Sequence, residues 1–307
     1  MSFITGANKV RQENLLINGG FDIWQRGAGP FTLDNVYTSD RWYSQDGSGG
    51  APARSVTREQ FAVGQTDVPG NPKYFLRHDQ TAAATDGKAS LQQFIEGVET
   101  LAGKTAYYSF FVRGSVADSL DIIFRQNFGS GGAPSAAVAK FAKSNVVYGT
   151  DWAEIRGSID LASIAGKTLG TDGNDNLEFE VRLDSTGVHQ VDFANMRLQS
   201  EPITTEFERR SLADELALCQ RYFRNTGELR LIFSETTISP YENISTHPVT
   251  MRATPTATVN NYVDLDGSGA TISDVLVDKN SINGLYMSRS ASAGSRFRFD
   301  VDLDAEL

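Results

Sequence analysis

The chain has 307 residues, 40% apolar and 10% aromatic, which is enough to bury one large core or two ordinary ones and too aromatic for a disordered chain. Its formal net charge of −10, with no basic run or stripe, argues against nucleic acid and anionic membrane as partners. One cysteine, Cys219, and three scattered histidines exclude an intrachain disulfide and Cys/His zinc sites, and no stretch approaches the roughly 20 apolar residues of a membrane helix.

Residues 1–12 are a polar lead without the apolar segment of a signal peptide, so they are expected to be an attachment arm on a protein assembled in a reducing cytoplasm. The clusters Asn14–Asn18 and Phe21–Trp24, separated by Gly19-Gly20, read as short strands with turns. Further strands are predicted at Tyr74–Arg77, Ala89–Phe94, Thr105–Arg113, Leu120–Asn127, Trp152–Ile159, Leu177–Leu183 and Val188–Leu198. Connectors rich in Gly, Ser and Asp separate them, at 46–52, 129–135 and 170–176, the pattern of an all-β sandwich over residues 13–201.

The segment Ser211–Arg224 departs from this pattern. Leu212, Leu216, Cys219 and Phe223 form a helical stripe, with Ser211 as N-cap and Asp214 and Glu215 in the first turn. A domain boundary is therefore placed near Glu201-Pro202, with residues 202–307 forming a helix and a small antiparallel β-sandwich. Its strands are expected at Leu229–Phe233, Val249–Met251, Ala257–Val259, Ser273–Val277, Leu285–Met287 and Arg296–Leu303. The last alternates strictly, Phe297, Phe299, Val301 and Leu303 against Arg298, Asp300 and Asp302, so it has one buried and one wet face.

Motifs for nucleophilic, nucleotide or zinc chemistry are missing: no nucleophile elbow, P-loop, HExxH or dinucleotide fingerprint. Gly129-Ser130-Gly131-Gly132 reads as a hairpin loop, Asp264–Gly269 as a hairpin turn lacking the twelfth-position Glu of an EF-hand, and His78-Asp79 as an exposed loop pair. Glu178 and Glu180 share one face of a strand, which reads as a solvated face; a depolymerase using paired carboxylates is the alternative. The sequence is thus expected to be non-enzymatic, with no required cofactor.

Two stretches resemble carbohydrate-binding modules of the four/nine type: Asn14–Asp22 is similar to their opening strand and Val191–Leu198 to their closing one, while Trp152 lies where such modules often carry a Trp. The resemblance covers residues 14–200 and implies a jelly-roll β-sandwich whose first and last strands are neighbours. It also implies that Asp22 and Asp192 hold a structural calcium, with Asp22 one methylene shorter than the commoner Glu.

A second resemblance is to bacteriophage tail-fibre and other virion structural proteins. It is carried by Phe21–Gly27, by Ser39-Asp40-Arg41-Trp42, by Phe207–Arg210 leading to Leu216–Phe223, and by the terminal Asp304-Ala305-Glu306-Leu307. It implies a virion appendage that adsorbs to a host surface polysaccharide, works beside other virion proteins and forms a homotrimer; a purely structural head-fibre, decoration or baseplate part is the alternative. Trp24 and Trp42, next to Arg26 and Arg41, are expected in the core. Tyr37, Tyr43 and Tyr148 are the loop aromatics expected to be free to stack on sugar rings.

Overall fold

The computed structural model describes residues 13–45, 54–82, 89–183, 187–232, 245–267, 269, 271–287 and 296–307; the N-terminal arm, the 46–52 connector and Phe233 lie outside these. The chain forms two compact units, one made of Met1–Phe21, Pro30–Val36 and Ser44–Glu208, the other of Asp22–Gly29, Tyr37–Tyr43 and Arg209–Leu307. The second unit is discontinuous, because two short stretches from early in the sequence complete it.

The first eleven strands are β1 (Val36–Tyr37), β2 (Tyr43–Gln45), β3 (Arg54–Gln60), β4 (Tyr74–Gln80), β5 (Ser90–Glu96), β6 (Thr105–Gly114), β7 (Asp118–Asn127), β8 (Val138–Tyr148), β9 (Ala153–Asp160), β10 (Asn176–Leu183) and β11 (His189–Gln199). They make two sheets, ordered β1-β2-β5-β10-β7-β8 and β3-β4-β11-β6-β9. Strands β4 and β11 pair antiparallel in one sheet, and β5 and β10 in the other. First thus meets last in nested order, which is the topology of a jelly roll. Inward-pointing Phe110, Phe124, Phe179 and Phe193 fill the space between the sheets.

The seven strands predicted between Tyr74 and Leu198 fall on β4–β7 and β9–β11. Strands β3 and β8 escape prediction for a physical reason. Each lies at the edge of its sheet with a wet outer face, so polar residues interrupt the apolar alternation.

The opening clusters form no strands. Asn18 and Phe21 take left-handed backbone (φ 55° each), and side chains satisfy much of the local backbone. Asn14 Oδ1 accepts from Leu16 N and Leu198 N, and Gln93 bonds both N and O of Ile17. Since Leu198 belongs to β11 and Gln93 to β5, this segment fastens the two sheets together. Gly19 is required there: a Cβ would sit 2.1 Å from the Met196 carbonyl oxygen. Gly19→Ala is expected to cost about 1–3 kcal/mol by overpacking, read by denaturant unfolding of the first unit; unchanged stability would contradict this placement.

In the second unit, helix α1 (Leu212–Gln220) begins as predicted, with Ser211 Oγ accepting from Asp214 N. It stops four residues short of Arg224. Strand β12 (Phe223–Asn225) starts there instead, because pairing with the last strand satisfies its backbone. Of the predicted stripe, Leu212 is 65% exposed, Cys219 is buried on the helix, and Phe223 is buried from a strand.

The remaining strands are β13 (Leu229–Ile232), β14 (Ser245–Thr246), β15 (Thr256–Asp264), β16 (Ile272–Val277), β17 (Ser281–Met287) and β18 (Arg296–Asp304). Strand β18 pairs with β12, β13 and β15, and β17 lies between β14 and β16. Alternation along β18 is as predicted, its buried side meeting Met251, Ile282 and Leu285 in the core. Val249–Met251 is not a strand, although Met251 is buried.

Candidate functional site

The outer face of the sheet containing β5, β10, β7 and β8 carries an ordered array of polar and aromatic groups. Register sets it in rows. Phe94, Glu178, Arg125 and Ala139 are cross-strand neighbours, and so are Gln92, Glu180, Ile123 and Phe141. Arg125 donates to both oxygens of Glu178 at 2.7 and 2.6 Å, and Arg182 grips both oxygens of Glu180 at 2.8 and 3.1 Å. Gln92 Nε2 donates to Ser90 and to Gln45. Phe141, 52% exposed, presents an open ring at the end of its row.

Glu178 and Glu180 therefore do not form a solvated face. They are 3% and 2% exposed, lying beneath the arginines that neutralise them. Burial pushes the Glu178 carboxyl up, against the pull of Arg125. The sequence points to this face through the two-residue spacing of the acids; Gln92, Phe94, Arg125 and Phe141 were missed because register is not written in any single strand.

The tyrosines named from sequence lie on strands rather than loops. Tyr148 ends β8 at 2% exposure, so its ring offers no face to a ligand. Tyr37 and Tyr43 meet edge-on with centroids 5.1 Å apart, and the Tyr37 hydroxyl donates to the Leu307 carbonyl.

Asp22 and Asp192 fall in different units, and each is held by arginine. Arg209 bonds both oxygens of Asp22, while Arg77 and Arg113 share Asp192 across β4, β11 and β6. Guanidinium charge at both carboxylates opposes a calcium ion there, and among the described residues no three His, Cys, Asp or Glu side chains gather as a metal set.

The early stretches of the second unit meet its C-terminus. Arg41, 1% exposed, pairs with Glu306 and lies 3.5 Å over the Tyr222 ring; Arg26 pairs with Asp304 and Glu306 and lies 3.5 Å over Phe223. Gln25 clasps Asp40 through its backbone N and its Nε2, and burial pushes the Asp40 carboxyl up to about 6. Trp24 and Trp42 are buried, as expected.

His78 is not on an exposed loop. It lies on β4 at 4% exposure with neither ring nitrogen bonded, and burial, with Arg54 and His189 nearby, lowers its pKa to about 3. The 129–132 loop joins β7 to β8 as expected and is tied to the 170–174 segment through Ser130 and Asn174. Asp264 accepts backbone bonds from Asp266, Gly267 and Gly269, so a turn stands there as predicted, but the strands around it, β15 and β16, belong to different sheets and form no hairpin.

No protein-family model and no curated protein matches the chain. Solved structures similar to it include a Stig cyclase from Fischerella sp. TAU, 14% identical, covering 62% of this chain and 98% of that one, TM-score 0.41. Another is TmCBM61 in complex with beta-1,4-galactotriose, 14% identical, covering 62% and 99%, TM-score 0.34. A third is the enzymatically active domain of bacteriophage CBA120 tailspike protein 4, 13% identical, covering 61% of this chain and only 21% of that one, TM-score 0.36.

Proposed function

We propose that the chain is a virion appendage component, a tail fibre or receptor-binding part, that holds a host surface polysaccharide without cutting it. The observation that carries the binding role is the array on the outer face of β5, β10, β7 and β8. Planar amide, carboxylate and guanidinium groups stand there at fixed spacing beside Phe94, Ile123 and Phe141. Sugar hydroxyls suit the first kind of group and sugar C–H faces the second.

Its carboxylates favour holding over cutting. Glycoside cleavage needs two carboxyls flanking the scissile bond, one of them able to give up a proton. The oxygens of Glu178 and Glu180 are instead each taken up by an arginine, Arg125 on the first and Arg182 on the second. The virion role rests on the sequence resemblance, whose segments Phe21–Gly27, Ser39–Trp42, Phe207–Arg210, Leu216–Phe223 and Asp304–Leu307 fall in the second unit except for Phe21, Phe207 and Glu208. A homotrimer among other virion proteins is the assembly this role implies.

Phe94→Ala and Phe141→Ala are each expected to weaken polysaccharide retention by about tenfold in affinity electrophoresis, the worth of one stacking ring. Retention unchanged in both variants would remove this face as the site.

A further inference from the structure

The opposite sheet carries a separate pocket of about 200 Å³ on its outer face, lined by Ser109, Phe111, Arg156, Asn195, Arg197 and Phe207 among others. Register explains the gathering. Arg197, Ser109 and Arg156 are neighbours across β11, β6 and β9, and Phe111 stands in the next row beside Glu154. Strand β11 bulges between Ala194 and Arg197, and Asn195 takes left-handed backbone (φ 51°) at that bulge.

The polar groups here are only partly used. Asn195 is 3% exposed; its Nδ2 donates to the Pro69 carbonyl, while its Oδ1 is buried without a hydrogen-bond partner. A buried acceptor left without a partner is unfavourable, so it calls for a donor. Arg197 is 6% exposed and gives one N–H to the Thr205 carbonyl. Among the described residues it has no carboxylate within ion-pairing distance, and burial lowers its pKa. Arg156 is paired with Glu154, and Glu206 adds a second acid, so two cations and two anions line the pocket and it does not select for charge.

We propose that this pocket is a second binding site, taking one neutral sugar ring such as the end unit of a glycan. A hydroxyl donates to Asn195 Oδ1, neighbouring hydroxyls accept from Arg197 and exchange bonds with Ser109, and the ring's C–H face meets Phe111 and Phe207. A pocket of this size fits a single ring, whereas the rows across β5, β10, β7 and β8 fit an extended chain and share no residue with it, so the two sites are separable by mutation.

The test is ligand-observed NMR and calorimetric titration of the full chain with D-glucose, D-galactose and D-mannose. One of these is expected to bind with a dissociation constant on the order of millimolar, as suits a few hydrogen bonds on one ring. Asn195→Ala, Phe207→Ala and Ser109→Val should each weaken it about tenfold, and Phe94→Ala should leave it unchanged. Asn195→Ala disturbs the bulge as well, so Phe207→Ala, at the rim, is the variant that decides. No binding of any of the three sugars, or binding indifferent to Phe207→Ala, would overturn the assignment.

Discussion

Arg41→Met is expected to destabilise the second unit by about 3 kcal/mol, because it breaks a buried pair and leaves the Glu306 carboxylate only the longer contact with Arg26, at 3.5 Å. Arg41 is 1% exposed, and the Glu306 side chain that it pairs with is nearly as deep. Its guanidinium also lies flat over Tyr222, and its own backbone is held in the left-handed region (φ 70°). Arg41→Lys should recover only part of the loss, since an ammonium neither stacks flat on the ring nor forks to a carboxylate. Glu306→Gln combined with Arg41→Met should cost less than the sum of the two single changes. Calorimetry, which can separate the transitions of two units, reads all of these; a loss below about 0.5 kcal/mol in Arg41→Met would mean that 37–43 is not anchored through this pair.

Acid should weaken the first unit through His78. Its folded pKa, about 3, is below the 6.5 of an ordinary histidine. In the unfolded chain it takes up a proton below pH 6.5, while in the fold it stays neutral. The stability linked to it is therefore whole above pH 6.5 and drains away as pH falls toward 3. The slope is about 1.4 kcal/mol per pH unit, or about 2 kcal/mol by pH 5. Its cross-strand neighbours are Val56 and Val191, and Arg54 and His189 are the charged or titratable groups that oppose its protonation. His78→Leu should flatten the curve between pH 6.5 and 5; parallel curves for variant and parent would contradict the buried neutral imidazole. Asp40, pushed up to about 6, acts with the opposite sign in the other unit, since the fold there gains a proton between pH 6 and 4.

Strands with an apolar inner face, β4 to β7 and β9 to β11, were legible because burial leaves a period-two trace in sequence. Strands β3 and β8 were not, since edge positions tolerate Arg, Glu and Lys on their wet side. The helix start was written in Ser211 and Asp214. Its end was not, because pairing of Phe223–Asn225 with β18 overrides the stripe. The proposed binding face was half legible: Glu178 and Glu180 announced a shared face, but the strands that surround them, and so Arg125 and Phe141, follow from topology alone. The pocket at Asn195 was invisible, as a bulge leaves no period to read.

Holding without cutting is tested most directly by incubating the purified chain with surface polysaccharide from host cells and measuring bound protein and released reducing ends together. Retention on the polymer with no new reducing ends is expected. New ends accompanying retention would contradict it by showing a cleaving enzyme, and no retention on any host polysaccharide would leave a purely structural virion part.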